Sequence, residues 1–199
     1  MPHYNFIEIG TSDFATLIQK ATPDEIGISV DAIQEYLGRL PNKPRVKKLC
    51  AAISAEDGFA TMYYIPLETI QVMMLPKWMR GTNSLGSPHP TVLKYLEKNG
   101  IPTSIISTFD IPVIGIASLL MRYHVTGIDY LKIDTEGHDT VIMNAYLDHC
   151  ADHPAHLASR IRFESNALSC SEEVAAVKVR LVSLGYTVSN TKTDTIATR

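Results

Sequence analysis

The sequence predicts an α/β protein built on an open, mostly parallel sheet with helices on both faces. Two stretches predict it, and the alternation of strand-like and helix-like segments between them agrees. The first lies at the N-terminus. Phe6-Ile7-Glu8-Ile9 is a short apolar run suited to a buried parallel strand, Gly10-Thr11-Ser12-Asp13 is a turn, and Phe14, Leu17, Ile18 and Ala21 fall on one helical face. Ile26-Gly27-Ile28-Ser29-Val30 then runs into Asp31, about twenty residues beyond Gly10. Strand, tight glycine turn, helix, strand and acid is how an open sheet holds a nucleoside. The turn and helix start meet the polar end of the ligand, and the distant acid accepts hydrogen bonds from ribose hydroxyls. The second stretch is Leu131-Lys132-Ile133-Asp134-Thr135-Glu136-Gly137-His138-Asp139, where a strand again ends in acids at a glycine turn and a helical pattern follows (Val141, Ile142, Ala145). A dinucleotide fingerprint has three glycines. Here Ser12 and Ala15 occupy the later positions, so a βαβ unit without a nucleotide is the alternative for the first stretch taken alone.

The remaining elements follow in order. Ile33, Tyr36, Leu37 and Leu40 recur at helical spacing and Pro41 ends that helix; Val46 to Ile53 reads as the third strand. Phe59 to Ile65 and Thr69 to Leu75, rich in β-branched, aromatic and methionine residues, read as extra strands over one edge. Residues 78–90 read as a loop, Thr91 to Asn99 as a helix stopped by Gly100, and Ile114 to Tyr123 as a helix. Ser169 and Glu172 are spaced as a capping box for a helix carrying Val174, Val177, Leu181 and Leu184, closed by Gly185. Tyr186 to Val188 and Thr195 to Thr198 read as a terminal strand pair. No repeat, low-complexity tract or linker interrupts the pattern, so residues 1–199 are expected to form one domain. Met1-Pro2-His3-Tyr4-Asn5 leaves no room for a helix ahead of the first strand, which suggests a minimal enzyme or a domain cut from a longer polypeptide.

Composition narrows the function. With 45% hydrophobic and 20% charged residues the chain is a globular type, and a net charge of −3 without a basic run argues against nucleic acid as the main partner. Three cysteines (Cys50, Cys150, Cys170) lack metal-ligand spacing and suit a reducing, cytoplasmic setting. No apolar run approaches the ~18 residues of a membrane span, and no signal peptide precedes the first strand. His3, His149, His153 and His156 read as surface residues without partners.

The two glycine-turn motifs together resemble the FkbM-type group of class I S-adenosylmethionine-dependent methyltransferases. Phe6 to Asp13 resembles their first motif and Val30 to Leu37 their ribose-binding strand end. Cys50 to Ser54 with Asp57-Gly58 resembles the third-strand segment, Leu131 to Gly137 the hallmark lysine-isoleucine-aspartate-x-glutamate-glycine run, and Ile161 to Glu164 the next strand. Phe14 stands where many relatives carry glycine. The resemblance implies a Rossmann-like fold, a mostly parallel seven-stranded sheet with an antiparallel last strand. It implies S-adenosylmethionine as cofactor, with Glu8, Gly10, Thr11, Ser12 and Asp13 around its methionine end. Asp31 would lie on the ribose, Ala32 and Ile33 on the adenine face, and Ile53 and Ser54 at the adenine edge.

Methyl transfer from a sulfonium needs mainly alignment, but an alcohol acceptor also needs a base or a metal. Asp134, Glu136, His138 and Glu164 converge at the strand ends and are the expected catalytic set. If a hard divalent cation such as Mg²⁺ or Mn²⁺ takes part, Asp134, Glu164 and Asn166 are its expected ligands. Asp134 alternatively caps the following helix, and Lys132 is expected to pair with Asp134 or Glu164. Trp78, Arg80, Asn83, Ser84 and His89 form an expected substrate-binding loop. Their mixture of aromatic and hydrogen-bonding groups suits the C–H faces and hydroxyls of a sugar. The leading expectation is O-methylation of a carbohydrate hydroxyl, on a deoxysugar such as rhamnose or fucose, a glycan or a glycosylated product. N- or O-methylation of a polyketide or other small molecule, and a NAD- or nucleotide-binding module, are the alternatives.

Overall fold

The computed structural model describes residues 2–14 and 16–199, so Met1 and Ala15 lie outside the described residues. The chain divides into two compact units. One comprises the residues up to Gly58 together with Val113–Arg199; the other is Phe59–Pro112.

The larger unit begins with β1 (His3–Ile9), α1 (Leu17–Lys20), β2 (Gly27–Asp31), α2 (Gln34–Arg39), β3 (Val46–Cys50) and β4 (Ala52–Ser54). Helix α1 is shorter than the apolar spacing predicts. Phe14 lies outside it and is 45% exposed, whereas Ile18 and Ala21 are buried with Phe6, Leu37, Leu40 and Val46 on one face of the sheet. The predicted third strand is two strands. β2 ends at Asp31, opposite Cys50, so the chain beyond Ala51 loses that partner, and β4 pairs instead with Val113–Gly115.

Between the two segments of the larger unit lie β5 (Gly58–Tyr64), α3 (Leu67–Val72), β6 (Ser84–Leu85), α4 (Pro90–Lys98) and β7 (Ser107–Gly115). Where residues 69–75 predict a strand, Pro66 sets a helix-compatible φ of −55° and Leu67 and Ile70 bury one face at helical spacing. The predicted loop 78–90 is ordered structure: a 3-10 turn at Lys77–Gly81, β6 paired antiparallel to β5, and His89 as the N-cap of α4. β7 was not foreseen; Pro112 within it removes a ladder donor and disguises the strand.

The larger unit then resumes with α5 (Ile116–Arg122), β8 (Gly127–Ile133), α6 (Asp139–Asp152), β9 (Arg160–Glu164), α7 (Ser171–Ser183), β10 (Thr187–Asn190) and β11 (Asp194–Thr198). The capping box predicted for α7 is absent. Cys170 is its N-cap with no side-chain bond to the helix amides, and Glu172 accepts from Cys170 Sγ and Ser171 Oγ instead. The main sheet has the order β10-β11-β9-β8-β1-β2-β3, with β11 antiparallel to both neighbours and the other pairings parallel. This is the mostly parallel, Rossmann-like α/β sheet the sequence predicts, with its reversed last strand. Its second face carries Ile7, Ile9, Ile28, Val30, Leu131, Ile133, Ile161 and Phe163, packed against Leu119 and Leu120 of α5, Ile142, Met143 and Tyr146 of α6, and Val177 and Leu181 of α7.

Register positions the site. Ile9 stands opposite both Val30 and Ile133, and Ile133 opposite Phe163. Asp31, Gly10, Asp134 and Glu164 therefore follow one another along the carboxyl edge of the sheet.

Candidate active site

The Gly10 turn is shaped from beneath. A Cβ on Gly10 would sit 1.8 Å from the Asp134 carbonyl oxygen, and φ is +76°, so glycine alone fits where β1 and β8 end side by side. The Gly10 amide donates to Val30 O at 2.9 Å and that of Thr11 at 3.2 Å. Ser12 also takes a positive φ, +52°, and its amide donates to Asp31 Oδ2 at 2.6 Å. Asp31 Oδ1 accepts from the Ile33 amide at 2.7 Å. Burial pushes the Asp31 carboxyl up to about 6 in spite of these bonds. Asp31 thus braces the turn on one side and the chain leading into α2 on the other. The Thr11 hydroxyl also bonds this carboxylate, which with four lone-pair sites retains capacity for a further donor, and Ser12 Oγ is buried beside it with no partner. Ile33 and Ile53 are buried, Ala32 is half-buried, and Ser54 Oγ is 2.9 Å from His138 Nε2.

Glu8 is fully buried. Its Oε2 accepts from the Leu17 amide at 2.8 Å, so the protein's own carboxylate holds the first amide of α1. Its Oε1 accepts from Lys132 Nζ at 3.0 Å, and Lys132 also stands 3.7 Å from Asp134. Sequence reasoning placed Lys132 with Asp134 or Glu164 and overlooked Glu8, which the β1–β8 register sets directly opposite.

At the ends of β8 and β9, Asp134, Glu136 and Glu164 each offer a carboxylate oxygen within 4.8 Å of the other two. Glu136 adopts φ +54°, a strained value for a side chain with a Cβ. Burial, then the charges of Glu136, Asp139, Asp134 and Asp194, raise the Glu164 carboxyl to about 8. Its Oε1 accepts from Asn166 Nδ2 at 2.5 Å, while Oε2 is buried without a partner. Burial also raises Asp134 and lowers His138, leaving the His138 imidazole neutral at pH 7. Asn166 Oδ1 accepts from the Leu168 amide at 2.8 Å and keeps a second lone pair. The three acids Asp134, Glu136 and Glu164 are close enough together to hold a cation, and Asn166 lies beside Glu164.

The residue that sequence reasoning missed is Asp139, fully buried at the start of α6. Its Oδ2 accepts from Thr135 N at 3.0 Å and Thr135 Oγ1 at 2.7 Å, and its Oδ1 from Glu164 N at 2.8 Å. It ties the β8 turn to the end of β9. The signal was an acid directly after Gly137-His138, in the first turn of a helix.

Beyond Glu164 an open cleft of about 500 Å³ is lined by Ser165, Asn166, Ala167, Ser169, Ser171, Val174, Ala175 and Lys178. Ser169 Oγ is buried there without a partner. The expected substrate loop belongs to the other unit. In it His89 is 4% exposed and its Nδ1 accepts from the Thr91 amide, which is helix capping. Asn83 donates to Arg80 O, Ser84 to Ser87 O, and Trp78 packs edge-on against Tyr95.

The methyltransferase FkbM domain model matches residues 8–188. The chain belongs to the FkbM methyltransferase domain family. A crystal structure of methyltransferase FkbM from Methylobacillus flagellatus KT shares the fold, with a TM-score of 0.55 at 10% identity over 98% of this chain and 43% of that one. The FkbM domain here thus spans less than half of that protein. No curated protein matches the chain. Among the described residues, no helix of this FkbM domain is long and apolar enough to cross a membrane.

Proposed function

We propose that this FkbM domain is an S-adenosylmethionine-dependent O-methyltransferase that modifies a hydroxyl of a carbohydrate, either a deoxysugar such as rhamnose or fucose, a glycan or a glycosylated product. The observation that carries this reading is the common edge of the sheet, where the Gly10 turn and Asp31 stand in register with Asp134 and Glu164.

S-adenosylmethionine, when bound, supplies a methyl group made electrophilic by its sulfonium. The chain's residues fit its nucleoside: Asp31 has spare acceptor capacity, Ser12 Oγ is a buried polar atom lacking a partner, and Gly10 keeps a side chain out of the turn. The acceptor side offers serine hydroxyls and an amide beside the small apolar faces of Ala167, Val174 and Ala175. That mixture suits a sugar better than a flat aromatic. His138, neutral and held by Ser54, is suited to receive the hydroxyl proton, and Asp134 to stabilise the charge that results. Titration calorimetry with S-adenosylhomocysteine, adenosine and NAD tests the donor: tight binding of the first alone supports the reading, and tight binding of NAD refutes it. Mass spectrometry of free and linked sugars incubated with the methyl donor tests the acceptor through a gain of one methyl.

A second reading rests on Glu164 Oε2. A buried, partnerless carboxylate oxygen among three mutually close acids is a natural position for a hard divalent cation, which would lower the pKa of an acceptor hydroxyl. Full turnover after exhaustive chelation eliminates this version.

A further inference from the structure

The far end of α6 carries side chains that methyl transfer leaves without a task. His149 lies in its last turn, His153 is its C-cap, and His156 belongs to the 3-10 turn Pro154–His156 that follows. These histidines, which as sequence look like unpartnered surface residues, contact one another. Ring centroids are 4.5 Å apart for His149 and His153, 5.1 Å for His149 and His156, and 5.4 Å for His153 and His156. His149 Nε2 and His156 Nδ1 are 2.9 Å apart.

The core sets this arrangement. Tyr146, on α6 one turn before His149, is fully buried; its hydroxyl donates to the His156 carbonyl at 2.8 Å and accepts from the Ala158 amide at 2.7 Å. Those bonds clamp the 3-10 turn to the helix and hold His156 facing His149. Partial burial lowers the pKa of His149 and of His156, with repulsion between the rings adding to it. Near neutral pH the His149 and His156 rings are therefore uncharged, the state a metal requires.

We propose that His149, His153 and His156 form a binding site for a transition-metal ion of the Zn²⁺, Ni²⁺ or Cu²⁺ class, separate from the methyl-transfer site. Two histidines four apart at a helix end lie on one face, as in helical zinc motifs. Imidazole nitrogens bind such ions at roughly 2.0–2.1 Å, so two on one ion stand about 3 Å apart, and the ion would take the place of the proton now shared by His149 Nε2 and His156 Nδ1 at 2.9 Å. The third nitrogen would come from His153, which is exposed beside both rings and would reach the ion by turning its own ring. Soft-to-borderline ions prefer these imidazoles, and hard ions prefer the carboxylates. The 14 residues of α6 put the two sites about 20 Å apart.

The test uses the full chain without a polyhistidine tag, stripped with chelator and titrated with Zn²⁺ at pH 7.5 by calorimetry and by thermal unfolding. One equivalent should bind and raise the unfolding midpoint. His149→Asn, His156→Asn and His153→Ala should each weaken binding by roughly tenfold or more, and acidification to pH 5.5 should abolish it. Mg²⁺ titrations should not distinguish the variants. If a polar substitution lowers the metal-free midpoint, His153→Ala decides, because His153 is exposed and outside the His149–His156 hydrogen bond. Equal Zn²⁺ affinity in the parent and in His153→Ala, or no Zn²⁺ uptake by the parent, overturns the proposal.

Discussion

Asp31 and Asp134 stand at the ends of β2 and β8, the two strands that flank β1, yet their surroundings assign them different work. Asp31 is 7% exposed and receives two backbone amides, so its carboxylate is fixed in place before any ligand arrives. Loss of its charge-assisted bonds should cost about 2–4 kcal/mol of S-adenosylhomocysteine affinity in Asp31→Ala. Calorimetry showing parental affinity in that variant would remove Asp31 from the ribose. Asp134 is half-buried, and its side chain has Lys132 as its near cation. Asp134→Asn keeps the shape and removes the charge, so donor affinity should hold while turnover falls by roughly a hundredfold or more. Wild-type turnover in this variant would sink both the base and the metal version of the chemistry, since each needs negative charge at that strand end.

At the scale of elements, the joints between strands carry the site. Glu8 on β1 and Lys132 on β8 form an ion pair with almost no exposure on either side chain. Lys132→Met strands a buried carboxylate and should cost about 3–5 kcal/mol in denaturant unfolding, and adding Glu8→Gln should recover part of the loss. A loss no greater in the single than in the double variant contradicts the pairing. Asp139→Asn sets an NH₂ group against either the Thr135 donors or the Glu164 amide, and about 1–3 kcal/mol of stability should go with it. What sequence made legible follows from the same physics. β1, β2, β8 and β9 are apolar runs bounded by glycines and acids, so period and punctuation both announce them. α3 was hidden because its helical signal rests on only two buried positions, Leu67 and Ile70, amid residues with strand propensity. The roles of Asp139 and of the paired His149 and His156 depend on the Glu164 amide and on the Tyr146 hydroxyl. Neither partner is set by local pattern, so no reading of periodicity reaches them.

Over the whole molecule, buried acids make stability depend on pH in an unusual direction. A carboxyl raised by the fold keeps its proton where the unfolded chain has already lost it. Stability is then greatest below the unfolded value and declines as pH rises through the folded one. Asp31 and Asp139, raised to about 6, act between roughly pH 4 and 6. In that range the histidines oppose them, because His138, His149 and His156 are lowered and favour the fold as pH rises. Cys150 and Tyr186, raised to about 11 and about 12, act only at higher pH. Glu164, raised to about 8, acts across the interval from about pH 6.5 to 8.5, and Glu8 and Asp134, also raised by burial, change stability in the same direction. In chelator-treated protein the thermal midpoint should therefore fall across that interval, and Glu164→Gln should flatten the fall and unfold at a higher temperature than the parent at pH 8.5. Circular dichroism melts at closely spaced pH values measure both. A midpoint that rises with pH in the parent, or a slope unchanged in Glu164→Gln, would show that Glu164 does not hold its proton in the fold.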